Sequence, residues 1–149
     1  MTEREKLNYV AGLVDGEGCI MIAKQGNRFT LRVTITNTDF SLLESIKNDL
    51  RIGEIYLMRH KKKTRKFKIY RYLVTSFQAL LVLKKLFLFL RGKKEEAILG
   101  IKFQENKIKF RDLNHTKRLP QEIISVREEL YQRMRVLKGT RKVKIKEVT

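Results

Sequence analysis

The stretch Val10-Ala11-Gly12-Leu13-Val14-Asp15-Gly16-Glu17-Gly18 decides how the rest of the chain is read. It takes over from an amphipathic helix expected over Glu3 to Val14, whose apolar face is Leu7, Val10, Ala11, Leu13 and Val14. Gly12 lies inside that helix, where glycine costs about 1 kcal/mol relative to alanine. Gly12 and Gly16 are four residues apart and share a face, smooth enough for two backbones to approach closely. Asp15 and Glu17 stand at the helix C-terminus, where the macrodipole disfavours anions. A bound divalent cation gives such an acidic spot a reason, because hard cations such as Mg²⁺ take carboxylate and carbonyl oxygens.

That spot is unusual for this chain. Its 149 residues carry 34 Lys plus Arg against 16 Asp plus Glu, a formal charge of +18. Such a surface attracts polyanions, with nucleic acid the leading partner class. Hydrophobic residues make up 42% of the chain, which argues for a packed domain rather than a disordered chain. The single cysteine, Cys19, excludes an intrachain disulfide and a Cys-cluster zinc site, and His60 and His115 lie at no metal-ligand spacing. No signal-peptide core follows Met1 to Lys6, and the apolar run Phe77 to Leu90 is too short to span a bilayer and carries Lys84 and Lys85. The expectation is an intracellular protein with no membrane partner.

Downstream of the opening stretch, Cys19 to Lys24 and Phe29 to Thr36 read as two strands joined by a turn at Gln25-Gly26-Asn27. The second alternates cleanly, with Leu31, Val33 and Ile35 on one face and Thr30, Arg32, Thr34 and Thr36 on the other. A helix over Phe40 to Leu50 follows, capped by Thr38 or Asp39. Strands at Glu54 to His60 and Phe67 to Thr75 flank the basic loop Lys61 to Lys66. Ser76 is placed to cap a helix over Phe77 to Leu90, and another runs from Lys93 to about Phe110. A last helix starts at Pro120 and stops at Gly139, with Ile123, Leu130, Met134 and Leu137 along its buried face. The order is helix, hairpin, helix, hairpin, then helices, an α+β chain. It divides into one domain, residues 1–138, and a basic tail, residues 139–149. A Thr/Arg sheet face on so basic a protein suits nucleic acid, since a β-ribbon fits the major groove.

The stretch resembles the LAGLIDADG motif of homing endonucleases. Ala11, Gly12, Leu13, Asp15 and Gly18 match it letter for letter, Val10, Val14 and Glu17 are conservative replacements, and Gly16 stands for a small alanine. The order of elements is similar to the family's αββαββα core over roughly residues 5 to 110, with an antiparallel DNA-binding sheet and C-terminal helices beyond. With one motif per chain, the resemblance implies a homodimer whose seam is Val10, Ala11, Gly12, Val14 and Asp15. Asp15 is read as also supporting the helix junction. It further implies Glu17 and the Gly16 carbonyl as metal ligands, with Mg²⁺ the expected ion and Mn²⁺ or Ca²⁺ able to occupy the same site. Glu17, Asn37 and Lys93 become the catalytic residues. Family members often carry a basic residue where Ser41 stands, so Lys94 or a hairpin base is a substitute.

The implied activity is cleavage of both strands of a long, near-palindromic duplex, leaving short 3′ overhangs, in intron or intein homing. Duplex DNA, a second copy of the chain and intron RNA are the implied partners. An RNA-binding maturase and a catalytically inactive DNA-binding regulator on the same scaffold are the alternatives. The DNA-contacting set is Gln25, Arg28, Thr30, Arg32 and Thr34 from the first hairpin, and Tyr56, Met58, His60, Lys61, Lys62, Lys63, Arg65, Lys66, Lys68, Tyr70, Arg71 and Tyr72 from the second. In the fourth strand both faces are partly apolar, so Tyr70 and Tyr72 compete with Arg71 for the outward side.

Overall fold

A computed structural model describes residues 1–59, 67–110 and 119–148, with side chains described as far as residue 139. His60 to Lys66, which include the expected basic loop, and His115 therefore lie outside the described residues. The chain runs α1 (Glu3–Glu17), β1 (Gly18–Gln25), β2 (Arg28–Asn37), α2 (Phe40–Leu50), β3 (Glu54–Leu57), β4 (Tyr70–Thr75), α3 (Ser76–Leu86), a 3₁₀ turn (Phe87–Phe89), α4 (Lys94–Lys109) and α5 (Gln121–Val148).

Helix α1 opens with a capping box. The Thr2 hydroxyl accepts from the Glu5 amide at 3.2 Å, and the Glu5 carboxylate accepts from the Thr2 amide at 2.9 Å. The helix runs three residues beyond Val14, so the motif's two acids lie within its last turn. Asp39, not Thr38, caps α2, accepting from the Leu42 amide at 3.2 Å. Ser76 does not cap α3. It begins that helix at φ 53°, a left-handed turn out of β4, and Thr75 precedes it with no side-chain cap.

The strands form one antiparallel sheet, in the order β1-β2-β4-β3. β2 alternates as expected, with Phe29, Leu31, Val33 and Ile35 buried against the helices. In β4 the buried residues are Tyr72 and Val74, which settles the parity the sequence left open. Two expected DNA contacts are thereby corrected. Tyr72 is fully buried and its hydroxyl donates to the Ile52 carbonyl at 2.7 Å. Tyr70, on the same face, packs its ring edge-on against Phe40 at 5.2 Å. β3 ends at Leu57 rather than His60, although the Met58 amide still donates to the Ile69 carbonyl across the hairpin.

The core is the inner sheet face with Val10, Ala11 and Val14 of α1, Leu43, Ile46 and Leu50 of α2, Leu83 and Leu86 of α3 and Phe103 of α4. Leu130 and Met134 bring α5 onto the same core. Gly139 does not stop α5, which continues to Val148, so residues 139–148 of the expected basic tail are helical. One interior glycine costs about 1 kcal/mol, too little to end a helix of this length.

Candidate active site and nucleic-acid interface

The end of α1 is held by residues far away in sequence. The Asp15 carboxylate accepts from the backbone amides of Arg91 at 2.8 Å and Lys93 at 2.9 Å. Burial alone would raise the Asp15 pKa, but these amides, that of Gly92 and the Lys93 charge outweigh it and hold the group below the ordinary carboxylate value. Lys93 returns the contact, its ammonium donating to the carbonyls of Val14 at 2.9 Å and Asp15 at 2.7 Å. α1 has no basic residue in its own last turn, so Lys93 supplies the positive charge that its C-terminal dipole favours.

Glu17 is exposed at that same helix end. Its Oε2 accepts from Asn37 Nδ2 at 3.0 Å. Asn37 is itself oriented, because its Oδ1 accepts from the Asp39 amide at 2.8 Å. The structure thus brings Glu17 and Asn37 into contact and sets Lys93 on the last carbonyls of the same helix. Lys94, the substitute base, instead lies over the Phe87 ring, 5.3 Å from its centroid.

A hard divalent cation fits this donor set in part. Glu17 offers a solvent-facing carboxylate with one oxygen fixed, and the carbonyls that Lys93 takes are those of Val14 and Asp15, not Gly16. Among the described residues no group of three His, Cys, Asp or Glu side chains could hold a metal alone. The remaining oxygens must come from water or from a bound partner.

The glycines divide the motif helix into two sides. A Cβ added at Gly12 or Gly16 meets nothing within 4 Å, so that exposed stripe is unpacked within the protomer. Gly18 is the opposite case, where a Cβ would lie 2.7 Å from Val14 Cα. The expected seam is corrected accordingly. Val10, Ala11 and Val14 are buried in the protomer's own core, and the Asp15 carboxylate is engaged by its own chain. Gly12 alone of the five is exposed, and Asn8, Tyr9 and Gly16 share its side of the helix. A 3.6-residue period applied within the motif would have separated the two sides.

The outer sheet face carries Gln25 from β1, Arg28, Thr30, Arg32 and Thr34 from β2, Arg71 from β4 and Tyr56 from β3. Arg71 stands in register between Thr36 and Tyr56, so it lies on the outer face of its strand, half-buried. Tyr56 and Lys68 are exposed and Met58 is half-buried. Lys61, Lys62, Lys63, Arg65 and Lys66 belong to the segment outside the described residues.

Residues 10–102 match the family model of the LAGLIDADG endonuclease. The chain belongs to that family. LAGLIDADG proteins also supply its structural neighbours. The homing endonuclease I-CvuI, solved with its target and calcium, aligns over 91% of this chain and 83% of its own at 19% identity and a TM-score of 0.71. I-Vdi141I, an archaeal intron-encoded homing endonuclease solved with DNA, aligns over 89% of this chain and 84% of its own, at 22% identity and a TM-score of 0.70. I-AabMI, a LAGLIDADG meganuclease solved on uncleaved DNA, shares 25% identity over 84% of this chain, which spans only 43% of that longer protein (TM-score 0.65). A search of curated proteins found no match. Among the described residues no helix is long and apolar enough to cross a membrane.

Proposed function

We propose that this chain is a homodimeric, divalent-metal-dependent DNA endonuclease that cuts both strands of a long, near-palindromic site, as in intron or intein homing. The observation that carries this reading is the Glu17–Asn37 pair at the end of a helix whose exposed glycine stripe has no partner in the protomer. A second copy packed on Gly12 and Gly16 would bring two Glu17 residues near a common two-fold axis, one for each strand. A two-fold protein in turn asks for two-fold DNA. The outer sheet face supplies Arg28, Arg32 and Arg71 for base edges and phosphates.

Within each site Glu17 and the Gly16 carbonyl would hold the cation, and Asn37 fixes the carboxylate's direction. Lys93 and Asp15 hold the helix end against the 91–93 turn, which keeps Glu17 in place when a polyanion approaches. Mg²⁺, or Mn²⁺ or Ca²⁺ in the same place, would supply Lewis-acid stabilisation of the phosphate and of the leaving 3′ oxygen. Calcium in the I-CvuI structure, and magnesium in another I-CvuI structure whose DNA is uncleaved, support a divalent ion in proteins of this fold.

The test is a cleavage selection. The protein is incubated with a random-sequence duplex library, with Mg²⁺ or with EDTA, and the cut ends are sequenced. One enriched near-palindromic site with 3′ overhangs, found only with Mg²⁺, is the expected result, and Glu17→Gln should lose cutting but keep duplex binding. A folded dimer that binds duplex without cutting would point to a regulator, and preference for structured RNA to a maturase.

A further inference from the structure

We propose that Arg127, Lys107 and Arg28 form a pocket for a phosphate-class oxyanion, at the far end of β2 from Glu17. Arg127 sits on the buried stripe of α5 with Ile123, Leu130 and Met134 and is only 4% exposed. Its Nε and Nη2 are buried without a hydrogen-bond partner. An arginine in such surroundings is costly to bury unless something compensates its charge. Glu128, its sequence neighbour, is taken by Lys24 at 2.8 Å and Gln132 at 3.0 Å. No described carboxylate forms an ion pair with Arg127 or Lys107.

Lys107 adds a second cation, its ammonium donating to the Phe29 carbonyl at 2.7 Å. Burial first, and the nearby Arg127 charge second, push the Lys107 pKa down, the mark of two like charges facing an uncompensated space. That space is a pocket of about 370 Å³ lined by Arg127, Lys107, Arg28, Asn27, Thr30 and Leu119. It has room for a phosphate group and several waters, each needing about 30 Å³. A guanidinium fork matches phosphate and carboxylate alike, but four phosphate oxygens can meet donors from three cationic side chains at once. The phosphate could be free or a backbone phosphodiester of duplex DNA. The pocket does not depend on the endonuclease reading; only the choice between these sources does.

The test titrates the full chain with inorganic phosphate at constant ionic strength, by calorimetry and by thermal unfolding. Saturable binding with a rise in Tm is expected, lost in Arg127→Met and weakened about tenfold in Lys107→Met by removal of one charge-assisted hydrogen bond. Arg127→Met removes an unpaired buried charge and should fold, and Lys107→Met is the second variant. Equal phosphate binding by the parent and both variants, or none by the parent, overturns the proposal. Duplex titrations then separate the two sources. A fall of about 0.9 in the log–log salt slope of Arg127→Met identifies a DNA phosphate. An unchanged slope alongside the lost phosphate binding identifies free phosphate.

Discussion

Asp15 and Lys93, 78 residues apart, hold each other twice: the Lys93 amide donates to the Asp15 carboxylate, and the Lys93 ammonium donates to the Asp15 carbonyl. A negative side chain at the end of a helix is ordinarily a liability. Here it fastens that end to the 91–93 turn, while the returning ammonium answers the exposed carbonyls.

Asp15→Asn should therefore destabilise the fold by about 2 kcal/mol, since an amide can accept from one of the two backbone donors but not match a carboxylate at both. Urea unfolding checks this. A loss below about 0.5 kcal/mol would make the clamp dispensable.

Asn37→Ala should slow cleavage about 10- to 100-fold and raise the Mg²⁺ concentration needed for half-maximal rate, with duplex affinity unchanged. The metal titration separates positioning from folding. A variant slowed equally at every Mg²⁺ concentration would show that Asn37 does not act through Glu17.

Gly12→Leu and Gly18→Ala should fail in different ways. Gly12 faces open space, so its variant should keep or slightly gain protomer stability while sedimenting as a monomer. Gly18 abuts Val14, so even a methyl group should lower stability. An unchanged dimer mass for Gly12→Leu would remove the glycine stripe from the interface.

Tyr72→Phe tests the inner face of β4. Removing the hydroxyl orphans the Ile52 carbonyl and should cost about 1–2 kcal/mol near neutral pH. Burial raises the Tyr72 pKa well above its ordinary value near 10. A raised folded pKa gives stability that is complete below pH 10 and lost as pH climbs toward the folded value. The parent should thus lose stability above pH 10 more steeply than the variant, so the gap between them narrows. Parallel pH profiles would place the phenol in solvent.

These contrasts mark what could be read from residue pattern alone. β2 was legible because aliphatics alternate with Thr and Arg, so one side has to be covered. β4 was not, because Tyr70 and Tyr72 tolerate either side, and burial of Tyr72 rests on the Ile52 carbonyl and on Gly53, whose position leaves no room for a Cβ beside the ring. The motif's letters name the residues but not their sides, and helical geometry turns Val10, Ala11 and Val14 inward and Gly12 outward. The hold of Lys93 on the Val14 and Asp15 carbonyls is a contact between distant segments that no local pattern encodes. Arg127 is illegible in the pattern, because an arginine on an amphipathic helix reads as a solvated residue.

The strand order also sets a timetable for synthesis. β4 lies between β2 and β3 yet is made after both, and the turn that grips Asp15 comes later still. A ribosome therefore releases Glu17 and Asn37 early, on a half-built sheet with one edge of β2 open and β3 without a neighbour. Until residue 93 emerges, the helix end that presents Glu17 lacks the backbone amides that grip Asp15 and the ammonium that answers the Val14 and Asp15 carbonyls. A chain still in translation thus carries the motif before it carries the clamp on that helix end, and a message truncated before that point would yield the motif without the clamp.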